Sequence, residues 1–137
     1  MEEARRDAGG SDPNVDVIHE VGDAMARGDA AAVAARLHAD VVWEHNLGGG
    51  SPEEGTYRGR DDAVRLFERV LEPWEYLRSK PRSIDQVGEG RYRVVGDLVA
   101  KHRTSNVEIA SSYEQELEVR DGLVMKGSMK TGLAQSL

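Results

Sequence analysis

The sequence predicts an α+β domain in which three helices pack against a curved antiparallel β-sheet. Apolar residues recur at helical spacing in the N-terminal part of the chain, whereas apolar and polar residues alternate from about Arg82 onward. Residues typical of tight turns, such as Asp121-Gly122, separate the alternating stretches. A chain of 137 residues can bury one hydrophobic core and is too short for two ordinary domains.

The first helix is predicted to begin at Asp12-Pro13. Asp12 can accept hydrogen bonds from exposed helix amides, and proline has the fixed φ of a first helical position. We expect Met1 to Asp12 to form a disordered tail, so that the domain spans residues 13–137. Because the tail contains no apolar stretch of the kind found in signal peptides or membrane spans, we expect a cytoplasmic protein.

Two further helices are predicted before the sheet. Gly28 is expected to end the first helix and Asp29 to cap the second. The third helix is predicted from about Asp61, with Pro73 kinking or ending it, and the helical half of the chain should end near Lys80. The inward-facing residues of the third helix are expected to be Val64, Phe67, Leu71 and Trp74.

The strands are predicted mainly in the C-terminal half. A short strand is expected around Val41-Val42-Trp43, followed by a glycine-rich loop from Asn46 to Gly59 over the mouth of the fold. Gly96 is a candidate for a bend that curves the sheet. The long strands are predicted at roughly residues 82–87, 91–104, 107–120 and 123–131.

Composition and motifs exclude several classes of function. The formal net charge is −7, and affinity for nucleic acids and anionic membranes comes largely from lysine and arginine, so we expect neither as a partner. The chain has no cysteine, which rules out disulfides and thiolate ligands. His19-Glu20 lacks the second histidine of a helical zinc motif, and Gly48-Gly49-Gly50 is not followed by the lysine of a phosphate-binding loop. We therefore expect no metal and no cofactor.

Four passages resemble a known family. They are Arg27-Gly28-Asp29, Ala39-Asp40-Val41-Val42-Trp43, Tyr57-Arg58-Gly59-Arg60-Asp61 and Val119-Arg120-Asp121-Gly122. Their order resembles the nuclear transport factor 2-like superfamily and, within it, the SnoaL-like proteins. The resemblance implies a cone-like sheet that encloses a pocket with the helices, and a homodimer formed through the outer sheet face. It does not define a reaction, because the superfamily includes polyketide cyclases, ketosteroid isomerases, epoxide hydrolases, dehydratases and domains that only bind or dimerise.

The resemblance also implies candidate catalytic residues. In a ketosteroid isomerase-like alignment, His45 falls at the position of the general base, Gln115 at that of an oxyanion donor and Val21 at that of the second donor, a tyrosine. A histidine with a pKa of about 6.5 can accept a proton at neutral pH, and a glutamine amide offers two N–H donors. We therefore expect His45 and Gln115 to line one cavity. The alternative is that His45 is half-buried and hydrogen-bonded to loop backbone.

Two other polar residues are weaker candidates. His102 lies on the apolar face near the end of its predicted strand, where it could take part in catalysis or be satisfied by backbone groups. Lys130 and Gly132 occupy the positions at which SnoaL-like cyclases carry a tyrosine and an aspartate, so the cyclase mechanism does not transfer. Lys130 itself is expected to be solvated.

Apolar side chains are expected to form the wall of the pocket, although residues at core spacing can equally serve packing alone. The candidates for ligand contact are Trp43, Tyr57, Phe67, Trp74, Leu98, Tyr113 and Met129. Two functions follow from these observations. The first is a protein that binds or transforms a small apolar organic molecule without a cofactor, by isomerisation, cyclisation or hydration. The second is a non-catalytic ligand-binding or dimerisation module.

Overall fold

The computed structural model describes residues 12–46 and 53–131. The helices of this part are α1 (Pro13–Ala26), α2 (Ala30–Ala34) and α3 (Arg60–Leu71). Its strands are β1 (Leu37–Asn46), β2 (Gly55–Arg58), β3 (Trp74–Gly88), β4 (Arg91–His102), β5 (Glu108–Arg120) and β6 (Leu123–Thr131). The predicted class is confirmed, because three helices accompany a curved, unclosed sheet. The predicted tail up to residue 11, the glycine run at 48–50 and Gly132 lie outside the described residues.

The residues predicted to begin and end the first two helices do so in the structure. Asp12 caps α1 by accepting a hydrogen bond of 2.9 Å from the Asn14 N–H, and Pro13 is the first helical residue. Gly28 follows α1 with a φ of 69°, a conformation that glycine adopts without strain. Asp29 then caps α2 through a bond of 3.0 Å from the Ala32 N–H. Asp12 thus sets the start of α1, whereas Gly28 and Asp29 set the turn between α1 and α2.

The sheet is mixed, which corrects the prediction of an antiparallel sheet. Its strand order in the described part of the chain is β2-β1-β6-β5-β4-β3. All neighbouring pairs are antiparallel except β1 and β6, which run parallel. Parallel neighbours need a long crossover, and here α3 and four strands separate β1 from β6 in the sequence. Residue alternation within a strand does not reveal this direction.

The third helix is shorter than predicted. The chain from Trp74 to Gly88 is strand β3, whereas the sequence predicted helix to near Lys80. Pro73 cannot continue a helix, and the residues after it pair with β4. Pro81 lies within β3 and is tolerated because β3 is an edge strand of the described sheet.

The segment predicted as a loop from Asn46 to Gly59 contains the short strand β2. Tyr57 pairs with Trp43 and Gly55 pairs with His45, so β2 continues the sheet beyond β1. Glycine content alone indicated a loop, but Gly55, Thr56 and Tyr57 gain backbone partners on β1. As a result, the end of β1 that carries His45 is flanked by strands on both sides.

The helices cover the concave face of the sheet. Trp43 is buried there beneath Phe67 of α3, with the two rings edge to face at 5.0 Å. On the neighbouring strand β6, a Cβ at Gly127 would collide with the Trp43 indole, so only glycine lets the ring lie this close. The predicted turn at Asp121-Gly122 is confirmed, with positive φ at both residues. No helix among the described residues is long and apolar enough to cross a membrane.

Candidate functional site

A cavity of about 70 Å³ lies between α1, α3 and the concave face of the sheet. Its walls come mainly from apolar residues of α1, β3 and β5, including Ile18, Met25, Leu77 and Leu117. The residues predicted at the site that line this cavity are Trp43, Phe67, Tyr113, Gln115 and Met129. The fold therefore brings together residues from β1, α3, β5 and β6 that are far apart in the sequence.

Polar side chains line this mostly apolar cavity from β3 and β5, and also from α1, which contributes His19 and Asp23. Gln115, Tyr113 and Ser79 all line it. Burial raises the pKa of Tyr113, and a hydrogen bond with Ser79 offsets part of the rise. Tyr113 is therefore a neutral phenol at pH 7, and the Gln115 amide carries no charge at any ordinary pH. The cavity offers hydrogen-bonding groups to a ligand but no fixed charge on these two residues.

His45 lies at the end of β1 with only 5% of its surface exposed. The Trp43 Nε1–H donates a hydrogen bond of 3.2 Å to His45 Nδ1. Burial lowers the pKa of His45 to about 4, and the Glu53 carboxylate opposes the shift only in part. Its Nε2 atom has no hydrogen-bond partner among the residues that the structure describes. The ring is therefore neutral at pH 7, and its Nδ1 lone pair is occupied by Trp43.

His45 and Gln115 do not share the cavity as expected. His45 pairs with Met129 across β1 and β6, and Met129 pairs with Gln115 across β6 and β5. The Met129 side chain therefore lies between the two polar groups. His45 lines a separate open groove of about 470 Å³, which Met129 also borders. A rearrangement of Met129 would join the groove to the cavity.

His102 is the last residue of β4 and does not line the cavity. Its Nδ1 accepts hydrogen bonds of 3.3 Å from the backbone N–H groups of Thr104 and Ser105. The ring also contacts the edge of Trp74, at 5.5 Å between centroids. This placement agrees with the alternative that backbone groups satisfy His102.

The remaining predicted wall residues lie elsewhere. The Tyr57 hydroxyl donates to the Glu53 carbonyl at 2.7 Å, which fastens β2 to the chain before it. Trp74 lines a different surface groove at the ends of α1 and α3. Leu98 is buried in the core beside the cavity without lining it, and Lys130 is exposed at the rim of the groove that holds His45.

Gly22 is a site residue that the sequence analysis did not identify. It lines the cavity from the middle of α1, and the only atom near an added Cβ would be Ser79 Oγ at 3.9 Å. Neither a positive φ nor a close contact therefore requires glycine there, although glycine inside a helix costs about 0.8–1 kcal/mol relative to alanine. The signal was present in the apolar stripe Val15, Ile18, Gly22 and Met25, where glycine is the one member without a side chain to pack.

The described residues contain no group of three or more histidine, aspartate or glutamate side chains placed to hold a metal ion. The chemistry available at the site thus consists of apolar contact, hydrogen bonding by neutral groups, the His19 and Asp23 side chains that α1 contributes to the cavity, and the imidazole of His45 in the neighbouring groove.

Comparison with known structures supports the fold. The chain resembles an NTF2-like protein of unknown function from Burkholderia pseudomallei with a TM-score of 0.77 and 22% identity, covering 90% of this chain and 94% of that chain. It also resembles TerC, crystallised with polyporic acid, with a TM-score of 0.74 and 21% identity over 86% of this chain and 90% of that chain. A protein with a ketosteroid isomerase-like fold from Catenulispora acidiphila, in complex with trimethylamine, gives a TM-score of 0.75 at 12% identity, covering 88% of each chain.

The sequence comparison identifies the family. No curated protein sequence matches the chain significantly. Residues 18–126, which include most of α1, all of α2, α3 and β1 to β5, and part of β6, match the family model of the SnoaL-like domain. Because this match extends over well more than half of the chain, the protein belongs to the SnoaL-like family.

Proposed function

We propose that this protein binds a small, largely apolar organic molecule in the cavity between α1 and the concave sheet. The observation that carries the proposal is Gly22, which keeps the α1 wall of the cavity empty where a side chain would fill it. A glycine that costs helix stability and that no contact requires is explained by a need for space. The bound molecule of TerC, polyporic acid, is an organic compound and agrees with this class of ligand.

The size of the cavity limits the ligand. Ligand pockets commonly enclose about 300–1,000 Å³, several times the roughly 70 Å³ found here. Met25 of α1 and Met129 of β6 both line the cavity, and methionine side chains adopt many conformations at little cost. We propose that both side chains move to admit a ligand, and that movement of Met129 opens the cavity toward His45.

Acetophenone is a suitable probe, since it combines one aromatic ring with one hydrogen-bond acceptor. Replacing Gly22 by leucine fills the cavity, whereas replacing it by alanine adds one methyl group with ordinary contact to Ser79. Both variants improve the helix propensity of α1. We expect wild type and Gly22→Ala to bind acetophenone in equilibrium dialysis and Gly22→Leu to lose binding while melting at the same or a higher temperature. Equal binding by a folded Gly22→Leu variant would contradict the proposal.

A second candidate function is cofactor-independent proton transfer with His45 as general base. It is favoured by the position of His45 on the concave side and by its neutral state at pH 7, which follows from a pKa of about 4. It is opposed by the hydrogen bond that occupies Nδ1. A base role predicts that His45→Ala lowers turnover of a substrate by about 10²-fold or more, because general-base catalysis contributes that much. Unchanged turnover by the folded variant would exclude it and leave a binding module.

We also propose that the outer face of the sheet forms a homodimer. Val99 is 37% exposed on this face and pairs with Ala110, and charged residues surround the pair. The acidic residues of β5 lie beside basic residues of β4, as in the ion pair of 3.0 Å between Arg93 and Glu114. Related by a twofold axis, these rows can pair with each other. Light scattering should give twice the mass of one chain for wild type and one chain for Val99→Arg; a monomeric wild type at tens of micromolar would contradict the dimer.

A further inference from the structure

The Trp43–His45 pair holds a buried imidazole in one orientation. Trp43 cannot move aside easily, because Gly127 lies against one part of the indole and Phe67 packs edge-on at 5.0 Å. Its Nε1–H therefore points steadily at His45 Nδ1, 3.2 Å away. Both side chains project from β1 onto the concave side, two residues apart.

This hydrogen bond determines where His45 carries its proton. An indole N–H is only a donor, so the Nδ1 atom that receives it must be the unprotonated nitrogen. In the neutral ring the remaining proton is then on Nε2. That donor is buried, and no described residue accepts its hydrogen bond. Buried donors without partners are rare in folded proteins because leaving them unpaired costs free energy.

We infer that His45 donates a hydrogen bond from Nε2–H to an acceptor oxygen of the ligand, such as the carbonyl of an aromatic ketone. The inference rests on the proposed ligand-binding function and adds the ligand class and the role of His45. It differs from the expectation that His45 is a general base, since the Nε2 atom assigned to the ligand contact already holds a proton. A neutral imidazole donor stabilises partial negative charge on a carbonyl oxygen without a change in its own protonation.

The charges around His45 are compatible with a neutral ring. The groove that it lines carries Glu44 from β1, Glu54 beside β2 and Lys130 from β6. Glu53 acts on His45 through its negative charge and favours protonation, but burial outweighs it. The contribution of this neutral donor to ligand binding should therefore be independent of pH between about 5.5 and 8. It is measured as the difference between wild type and His45→Leu, because His19 and Asp23 line the same cavity.

The first test uses the ligand-free protein. Long-range ¹H–¹⁵N NMR correlations distinguish the two neutral tautomers of each of the four histidines. The His45 signals are assigned by their absence in His45→Gln, and independently by the nuclear Overhauser contact with the Trp43 indole. We expect a protonated Nε2 and an unprotonated Nδ1 at pH 7. A protonated Nδ1, or a ring half charged near pH 6.5, would overturn the inference whether or not any ligand binds.

The second test compares two probes of the same shape. Acetophenone carries a carbonyl oxygen, and α-methylstyrene carries a methylene group in its place. We expect wild type to bind acetophenone about tenfold more tightly than α-methylstyrene. His45→Leu should bind both equally, whereas His45→Gln should keep most of the preference. A glutamine can accept from Trp43 through its oxygen and donate through its nitrogen, but it cannot act as a base.

The outcomes separate the inference from the proposed function. If neither probe binds wild type, the proposed function is contradicted, and the tautomer measurement still decides the state of His45. If both probes bind and His45→Leu keeps the preference for the ketone, the donor role is wrong while ligand binding stands. If turnover of a ketone substrate is found and His45→Gln abolishes it without weakening binding, His45 acts as a base and the inference is overturned.

Discussion

Tyr92 of β4 donates its hydroxyl to Asp12, the residue that caps α1, over a distance of 2.8 Å. The same hydroxyl accepts a hydrogen bond of 3.2 Å from the Asn14 side chain. The N-terminus of α1 is thus fastened to the sheet, and α1 is the wall of the cavity that carries Gly22. The position of α1 over the cavity therefore depends on a contact between residues that are distant in the sequence.

Removal of this link should lower stability and loosen the cavity. Tyr92→Phe should cost about 1 kcal/mol of unfolding free energy, and Asp12→Ala about 1–2 kcal/mol, because the latter also removes the helix cap. The double variant should lose less stability than the sum of the two single losses, because both changes remove the same hydrogen bond. Asp29→Ala, which removes the cap of α2, is the control. Its stability loss and that of Tyr92→Phe should be additive in the corresponding double variant. Urea denaturation of the three single variants and the two double variants measures these losses; full additivity of the Asp12 and Tyr92 changes would contradict the link.

His45 should make stability depend on pH. Its pKa is about 4 in the folded protein and near 6.5 when unfolded. Above pH 7.5 both states hold a neutral ring. As pH falls below 6.5 the unfolded chain binds a proton that the folded protein does not, so stability decreases by up to about 1.4 kcal/mol per pH unit until about pH 4. The difference in unfolding free energy between wild type and His45→Gln should therefore shift in favour of the variant by roughly 3 kcal/mol between pH 7.5 and 4; a constant difference would contradict the low pKa.

Gly127 should tolerate no side chain. In Gly127→Ala the new methyl group would collide with the Trp43 indole, and overpacking of this kind typically costs about 1–3 kcal/mol. Displacement of the indole should also weaken its hydrogen bond to His45 Nδ1, which the chemical shift of the Trp43 N–H reports. Gly22→Ala is the matched control, because its methyl group has room and improves helix propensity. A Gly127→Ala variant as stable as wild type with an unchanged indole shift would show that the ring is not held as described.

Much of the local structure could be predicted because its causes are local. Asp12 and Asp29 cap helices through their own neighbours, and Asp121-Gly122 adopts positive φ values at a two-residue turn. The extent of α3 was wrong for a complementary reason. The apolar residues from Val64 to Trp74 keep helical spacing past Pro73, but the backbone after this proline pairs with β4. That pairing depends on residues far along the chain and leaves no periodic signal in the segment itself.

The site could be predicted only in part. Strand alternation and helical spacing correctly indicated which faces of the elements are buried. Five of the predicted wall and site residues therefore do line the cavity: Trp43, Phe67, Tyr113, Gln115 and Met129. The separation of His45 from Gln115 depends on the order of β1, β6 and β5, and in particular on the parallel pairing of β1 with β6. The sequence gives no direct indication that Met129 is inserted between the two residues.

Met129 should act as the partition between the cavity and the groove. Met129→Ala removes a partly buried side chain and should cost about 1–3 kcal/mol of stability. The variant should also bind 2-acetylnaphthalene, a ketone with a second ring, more tightly than wild type does. Leu98→Ala is the control, since Leu98 is buried but does not line the cavity. It should lose stability without gaining affinity for the larger ketone; a similar gain in both variants would indicate general loosening of the fold.

The binding of a small organic ligand beside Trp43 is tested most directly by a titration of the wild-type protein with acetophenone, followed through its two tryptophan indole N–H signals. Trp43 lines the cavity, and Trp74 lines a separate surface groove. We predict that the Trp43 signal shifts and saturates while the Trp74 signal stays in place. An unmoved Trp43 signal, or equal non-saturating shifts of both signals, would contradict a ligand site in this cavity.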